Sequence, residues 1–348
     1  MPTLPSAVLS VPADRQMTEK IGKISGLAWA AKEVTRRRYE KYARLALIGG
    51  GTAVTAAGFP ELWRVFQETC RALSIAEPEF FLVDRPGAVP EVLGEEKPLL
   101  MLPVSLLAGG EKAWRVALAG ALTHIHCGHL PYLAMRALAA AAADNLGIIK
   151  SAVSLPRMYL EEWYYAAQMS ADRGALWVTG DLPLVLEELC ARALPANPAG
   201  RLTPETLLAQ GERYLAELDA LPACPLFHTW SNLYFNLPRY ALRAVELKKW
   251  AESAEYRAFR AGDFSGGAAR AEETPAYWGA FAGGENPWAS AGAADDPETA
   301  DFLFGLNRKE WLVSGAQSLA AGAGNFARTG AQALGDAASA FINALKKE

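Results

Sequence analysis

The chain has 348 residues, 51% of them hydrophobic and 21% charged, enough for one large folded body with an appendage. The formal charge is −4 and no basic run resembles a surface that tracks phosphates, so nucleic acid is not an expected partner. Four widely spaced cysteines with no CxxC pair exclude a disulfide framework of the secreted kind and read as buried free thiols.

The first residues, MPTLPSAVLSVPADRQ, show no basic region followed by an apolar one, so residues 1–14 read as a short N-terminal extension and not as a secretory signal. Residues 17–42 carry helical periodicity and a basic stretch, Arg36, Arg37, Arg38 and Lys41, read as a wet helix face, with docking of an acidic partner as the alternative. RLALIGG (44–50) reads as a strand ended by glycines. GGGTAV (49–54) lacks the lysine of a phosphate-binding loop and the spacing of a dinucleotide fingerprint.

FPELWRVFQETCRALSI (59–75) is helical, with Pro60 at its start. EFFLV (79–83) and PLLMLP (98–103) read as strands, the second at a sheet edge because prolines bracket it. One Ala-rich helix is expected over about 111–145, and its most apolar run, 134–149, contains Arg136 and Asp144 and so falls short of a membrane span. Further helices are expected near 156–178, 182–194, 203–219 and 238–258. The class is α+β, mainly helical with a small sheet, and the main body runs from 15 to 260.

Composition changes after 260. Residues 261–307 are rich in Gly, Ala, Pro and acids, with Tyr277, Trp278, Phe281 and Trp288 embedded: a tether, or a sticky segment that packs on the body or a partner. Residues 308–348 regain helical periodicity in an apolar stripe that includes Leu312, Leu319, Phe326, Leu334, Phe341 and Leu345, interrupted by helix-weakening glycines. Such a helix needs a surface: its own body, a partner, or a second copy.

Three of the four histidines, His124, His126 and His129, fall within ALTHIHCGH. On a regular helix His126 and His129 share a face and His124 does not join them. The segment GALTHIHCGH, followed by QMSAD (168–172), LPRYALRAVEL (237–247) and the earlier VLGEEKPLLMLP, resembles the soluble, HtpX-like zinc metallopeptidases. In that family HELGHxxxGH lies on one helix, ExxxD on the next, and HPxxxxRxxEL opens a late helix. The resemblance covers about 15–255 and implies a zincin-like fold.

Carried over position by position, the resemblance puts the first ligand histidine at Gly120, the general-base glutamate at Ala121 and the second ligand histidine at His124. The third ligand, a glutamate, falls on Gln168. Asp172 keeps the motif's aspartate, and the histidine expected near the oxyanion is Leu237. A register shifted by five, with Ile125 and His126 at the first ligand and the base, is also incomplete.

A zinc site of this class needs three protein ligands, and its bound water, brought to a pKa of about 7, needs a base. Gly120 and Ala121 offer no donor atom and Gln168 only a neutral amide. The expectation is a cytoplasmic pseudopeptidase, with no cofactor, that binds a peptide or protein through the cleft or the C-terminal helix. Two alternatives stand beside it: an active zinc endopeptidase with a non-standard ligand set such as His126 and His129, and an assembly protein working through its last helix. Glu161, Glu162 and Asp172 read as a solvated face, as do Glu187 and Glu188, and Tyr164 and Tyr165 as core or cleft wall.

Overall fold

The computed structural model describes residues 4–22, 40–85, 89–145, 150–195, 200–220 and 237–265. Cys224, Arg36–Arg38 and the whole of 266–348, with both readings of the tail, lie outside the described residues.

The chain enters through α1 (Ser6–Leu9) and α2 (Pro12–Gly22). Residues 4–14, set apart in the sequence as an extension, supply buried Leu4, Val8, Leu9, Val11 and Ala13 to the interior. Short apolar pieces separated by Pro5, Ser10 and Pro12 show no period long enough to announce that role.

The segment read as a strand over 44–50 is instead helix α3 (Glu40–Gly50). Its Ala and Leu residues are strong helix formers, and only Leu47 and the edge of Ala43 face the sheet. Glu40 is buried at its start, and its carboxylate accepts the backbone N–H groups of Glu95, Glu96 and Lys97 at 2.9, 3.2 and 2.9 Å.

β1 (Thr52–Ala53), α4 (Pro60–Ala72), β2 (Glu79–Val83), β3 (Glu91–Leu93) and β4 (Leu99–Pro103) follow. The sheet order is β1-β2-β4-β3, with β2 and β4 parallel and the outer pairings antiparallel. β4 is therefore internal, not an edge. Its prolines sit at the ends of the ladder: the Pro98 carbonyl accepts from Glu79 N–H at 3.1 Å and Pro103 closes the register opposite Val83. Leu99, Leu100 and Leu102 are all buried, as expected of a strand covered on both faces. One face, with Phe81 and Leu99, receives Leu47 of α3; the other, with Phe80, Leu82, Leu100 and Leu102, packs into the main core with Phe66 of α4 and Leu118 and Leu122 of α5.

A 3-10 turn at Val104–Gly109 leads into α5 (Gly110–His126). The single helix expected over 111–145 is broken here, and α6 is Leu130–Asn145. Gly128, at φ +72°, causes the break. Its N–H bonds the Ile125 carbonyl at 3.1 Å while the His129 N–H bonds that of His124 at 2.9 Å, the paired bonds of a Schellman cap.

α7 (Lys150–Thr179), α8 (Leu182–Ala193), α9 (Pro204–Ala220), α10 (Tyr240–Glu252) and α11 (Ala254–Arg260) complete the described chain. α5 and α7 approach so closely that a Cβ added to Gly174 would stand 1.7 Å from Thr123 Oγ1. No helix among the described residues is long and apolar enough to cross a membrane. The mainly helical α+β expectation is met.

Candidate functional site

Of the positions singled out by the resemblance, Gly120, His124 and Gln168 lie where α5 and α7 face each other. Position 120 on α5 looks at α7: a Cβ built on Gly120 would lie 3.9 Å from the Ala171 carbonyl. One turn further along, His124 meets Gln168, with 3.2 Å between His124 Nε2 and the Gln168 side-chain nitrogen. Ala121 is buried in the main core. Leu237 stays 64% exposed ahead of α10.

His124 does not stand alone. The Schellman turn folds His129 back beneath it, and the two Nδ1 atoms are 2.9 Å apart. The hydrogen-bonded pair is thus His124 with His129, not His126 with His129. The regular-helix geometry that kept His124 apart fails because the helix ends at His126. His126 turns instead toward the backbone carbonyls of Leu73 and Pro5, and burial depresses its pKa.

The chain of bonds continues from His129 Nε2 to Asp14 Oδ2 at 2.9 Å. Asp14 also accepts from Ser170 Oγ at 2.6 Å, Thr18 Oγ1 at 3.2 Å and Trp163 Nε1 at 3.1 Å, and Ser170 Oγ accepts the Val11 N–H at 3.0 Å. Trp163 and His129 meet edge to face. Asp14, His124, His129 and Ser170 are all buried.

Donor and acceptor roles follow from the Gln168 amide. Its N–H donates to His124 Nε2, so His124 carries its proton on Nδ1 and donates to His129 Nδ1. His129 then holds its proton on Nε2 and donates to the Asp14 carboxylate. Every ring nitrogen of the pair is used. Burial, assisted by the neighbouring His129 and Arg243, pushes the His124 pKa down to about 3. Burial works to raise the Asp14 pKa, but contact with His129 and the hydrogen bonds from His129, Ser170 and Thr18 outweigh it and hold it below 3.8.

The acids read as a solvated face are buried and paired. Asp172 accepts from Nε and Nη2 of Arg243 on α10 in a bidentate pair, 2.7 Å each. Glu162 accepts from Arg239 at 2.6 Å and Glu161 from Arg136 at 2.9 Å. The Arg136 guanidinium lies over Tyr164 and that of Arg239 over Tyr165, 3.9 Å from each ring centroid. Arg239 reaches this position from a left-handed backbone, φ +51°, directly after Leu237-Pro238. Burial of an acid is unreadable from spacing when its partner arrives from a helix 70 residues away. Glu187 is exposed, as expected, and Glu188 is half-buried.

Asp14, Ser170, Arg243 and Arg239 were the functional-looking residues that sequence reasoning did not single out. Arg243 was within reach, since it falls on the arginine of the late-helix string.

The donor set does not fit zinc. Position 120 has no side chain, Gln168 presents an amide, and His124 uses both nitrogens within the protein. Among the described residues no three His, Cys, Asp or Glu side chains converge to hold a metal ion. Cys70 and Cys190 are buried free thiols. Cys127 is half-exposed as a residue, but burial of its thiol raises its pKa to about 12, as it does that of Cys70.

No protein-family model, curated protein or solved structure matches the chain.

Proposed function

We propose that the chain is a metallopeptidase-like protein that does not cleave, and that it serves as a binding or scaffolding module for an extended peptide or protein. The observation that carries this reading is the engagement of His124 on both ring nitrogens, by Gln168 at 3.2 Å and by His129 at 2.9 Å. A histidine so held has no lone pair to offer a metal, and position 121 supplies no base.

Two further contacts support the likeness to the peptidase family. The resemblance aligned Asp172 with the aspartate of ExxxD and placed Arg243 at the arginine of the late-helix string, and these two residues form the buried bidentate pair. It likewise aligned His124 and Gln168 as two ligand positions, and their side chains touch. For binding, β3 is the margin of the sheet that packs near α5 and α6, its outer edge unpaired among the described residues, and an extended peptide adds to such an edge through its main chain.

The test uses the full chain in two assays. An unfolded protein such as reduced casein is expected to be retained by the chain and not cut, with or without chelator; chelator-sensitive cleavage overturns the reading. The reversion Gly120→His, Ala121→Glu, Gln168→Glu is expected to take up zinc tightly. A folded triple variant that binds none removes the likeness on which the reading stands.

A further inference from the structure

Helix α3 is held by one face only. Glu40 caps three loop amides, Arg44 bonds Glu79 at 2.8 Å, and Leu47 packs on Phe81 and Leu99. The opposite face carries Tyr42, Leu45 and Ile48, which are 67%, 65% and 63% exposed. Three-residue steps place them on an arc of about 120°. Within it Gly49 has open space where a Cβ would be, so another chain can approach the backbone there. Exposed Lys41 lies in the same arc and no acid does. The three arginines Arg36–Arg38 precede the helix in sequence.

The C-terminal segment has the opposite character. Between Arg270 and Arg308 there is no lysine or arginine, while acids run from Glu272, Glu273 and Glu285 to Asp301. Tyr277, Trp278, Phe281 and Trp288 are spaced among them. The described chain ends at Ser265, twelve residues before Tyr277. Twelve extended residues span about 40 Å. A folded body of this size has a radius of gyration of about 18 Å and so a surface path of about 70 Å from one side to the other; the 23 residues from Ser265 to Trp288 span about 76 Å extended, so the segment can reach any face.

We infer that the acidic, aromatic segment 272–301 of the same chain covers the Tyr42–Leu45–Ile48 face of α3. Its aromatic rings bury the exposed apolar stripe while its carboxylates sit beside Lys41. An intramolecular occupant pays no association entropy, which lets a stripe of only three large side chains serve as a dock. The inference does not depend on whether the chain cleaves peptides.

Hydrogen exchange on the full-length protein tests it. Amides in 277–288 are expected to exchange at least about tenfold slower than the unstructured rate, and the variant Leu45→Glu with Ile48→Glu is expected to return them to that rate. Both substitutions are on an exposed face, and unchanged protection of α5 and α7 verifies that the variant folds. If it does not, Leu45→Ser with Ile48→Ser makes the same comparison. Unprotected amides in the native chain, or protection that survives the substitutions, overturn the inference. So does a native dimer that the substitutions split, in which case a second copy is the occupant. So does sedimentation of the native chain with phosphatidylserine vesicles that the substitutions abolish.

Discussion

His124 and His129 face each other Nδ1 to Nδ1 across 2.9 Å, and the helix break at Gly128 is what lets them meet. In an uninterrupted helix, residues five apart lie about 140° from one another around the axis. The cap converts a row of histidines into one link of a buried chain running from Gln168 through both rings to Asp14.

That chain makes stability depend on pH in a defined direction. Folded His124 titrates at about 3 against 6.5 when exposed, so between those values the unfolded chain binds a proton that the folded chain does not. Stability is therefore expected to rise with pH through this window and to fall on acidification, by up to about 1.4 kcal/mol per pH unit from this group. Asp14, with its pKa held below 3.8, adds a loss of the same sign at lower pH, as its carboxylate protonates. Urea midpoints measured between pH 7 and pH 4 check this, and His124→Gln should flatten the slope.

Asp14 accepts from His129, Ser170, Thr18 and Trp163. Asp14→Ala strands these donors in the interior and is expected to destabilise by about 3 kcal/mol or more. Urea denaturation gives the number. A loss under 1 kcal/mol would show that α2 contributes little to the site.

The Asp172–Arg243 pair is buried on both sides. Removing one partner, as in Asp172→Leu or Arg243→Met, is expected to cost about 3–5 kcal/mol by leaving a buried charge uncompensated, whereas the double substitution recovers most of the loss. A double-mutant cycle by chemical denaturation separates the two cases: additive losses would mean that the partners do not depend on each other.

How much of this was legible in the sequence depended on whether a residue's partner was local. The helices at 60–72, 182–193 and 204–220 announced themselves through periodicity and Pro at the first turn, the last two also with a polar cap at Asp181 and Thr203, all within a few residues. Strand β4 was legible as a strand, but its central place was not, because bracketing prolines look the same at the ends of an inner strand as on an edge. The helix 40–50 was misread because GG after an apolar run punctuates helices and strands alike. In the site, the string order put His124 and Gln168 on facing helices, and their side chains touch. The rest was hidden: His129 needed the Schellman turn, and Asp14 had to come from 110 residues upstream, in a segment with no helical signature of its own.

Close packing of α5 on α7 gives a steric prediction. In Gly174→Ala the new methyl would meet Thr123 Oγ1 at 1.7 Å and Thr123 Cβ at 2.7 Å, and the helices must part. The expected cost is about 1–3 kcal/mol by thermal or urea unfolding. Thr123→Ala in the same chain should restore part of it, because the hydroxyl goes and the Cβ stays.

His124, His129, Gln168 and Asp14 satisfy one another, and the proposed reading is that they leave nothing to grip a divalent cation. Its most direct measurement is the metal content of the full chain, purified without a metal-affinity tag and dialysed in the presence of zinc and then against zinc-free buffer. Far less than one equivalent of zinc per chain is expected. One tightly held equivalent, lost on replacing His124, would show that the site does bind a metal.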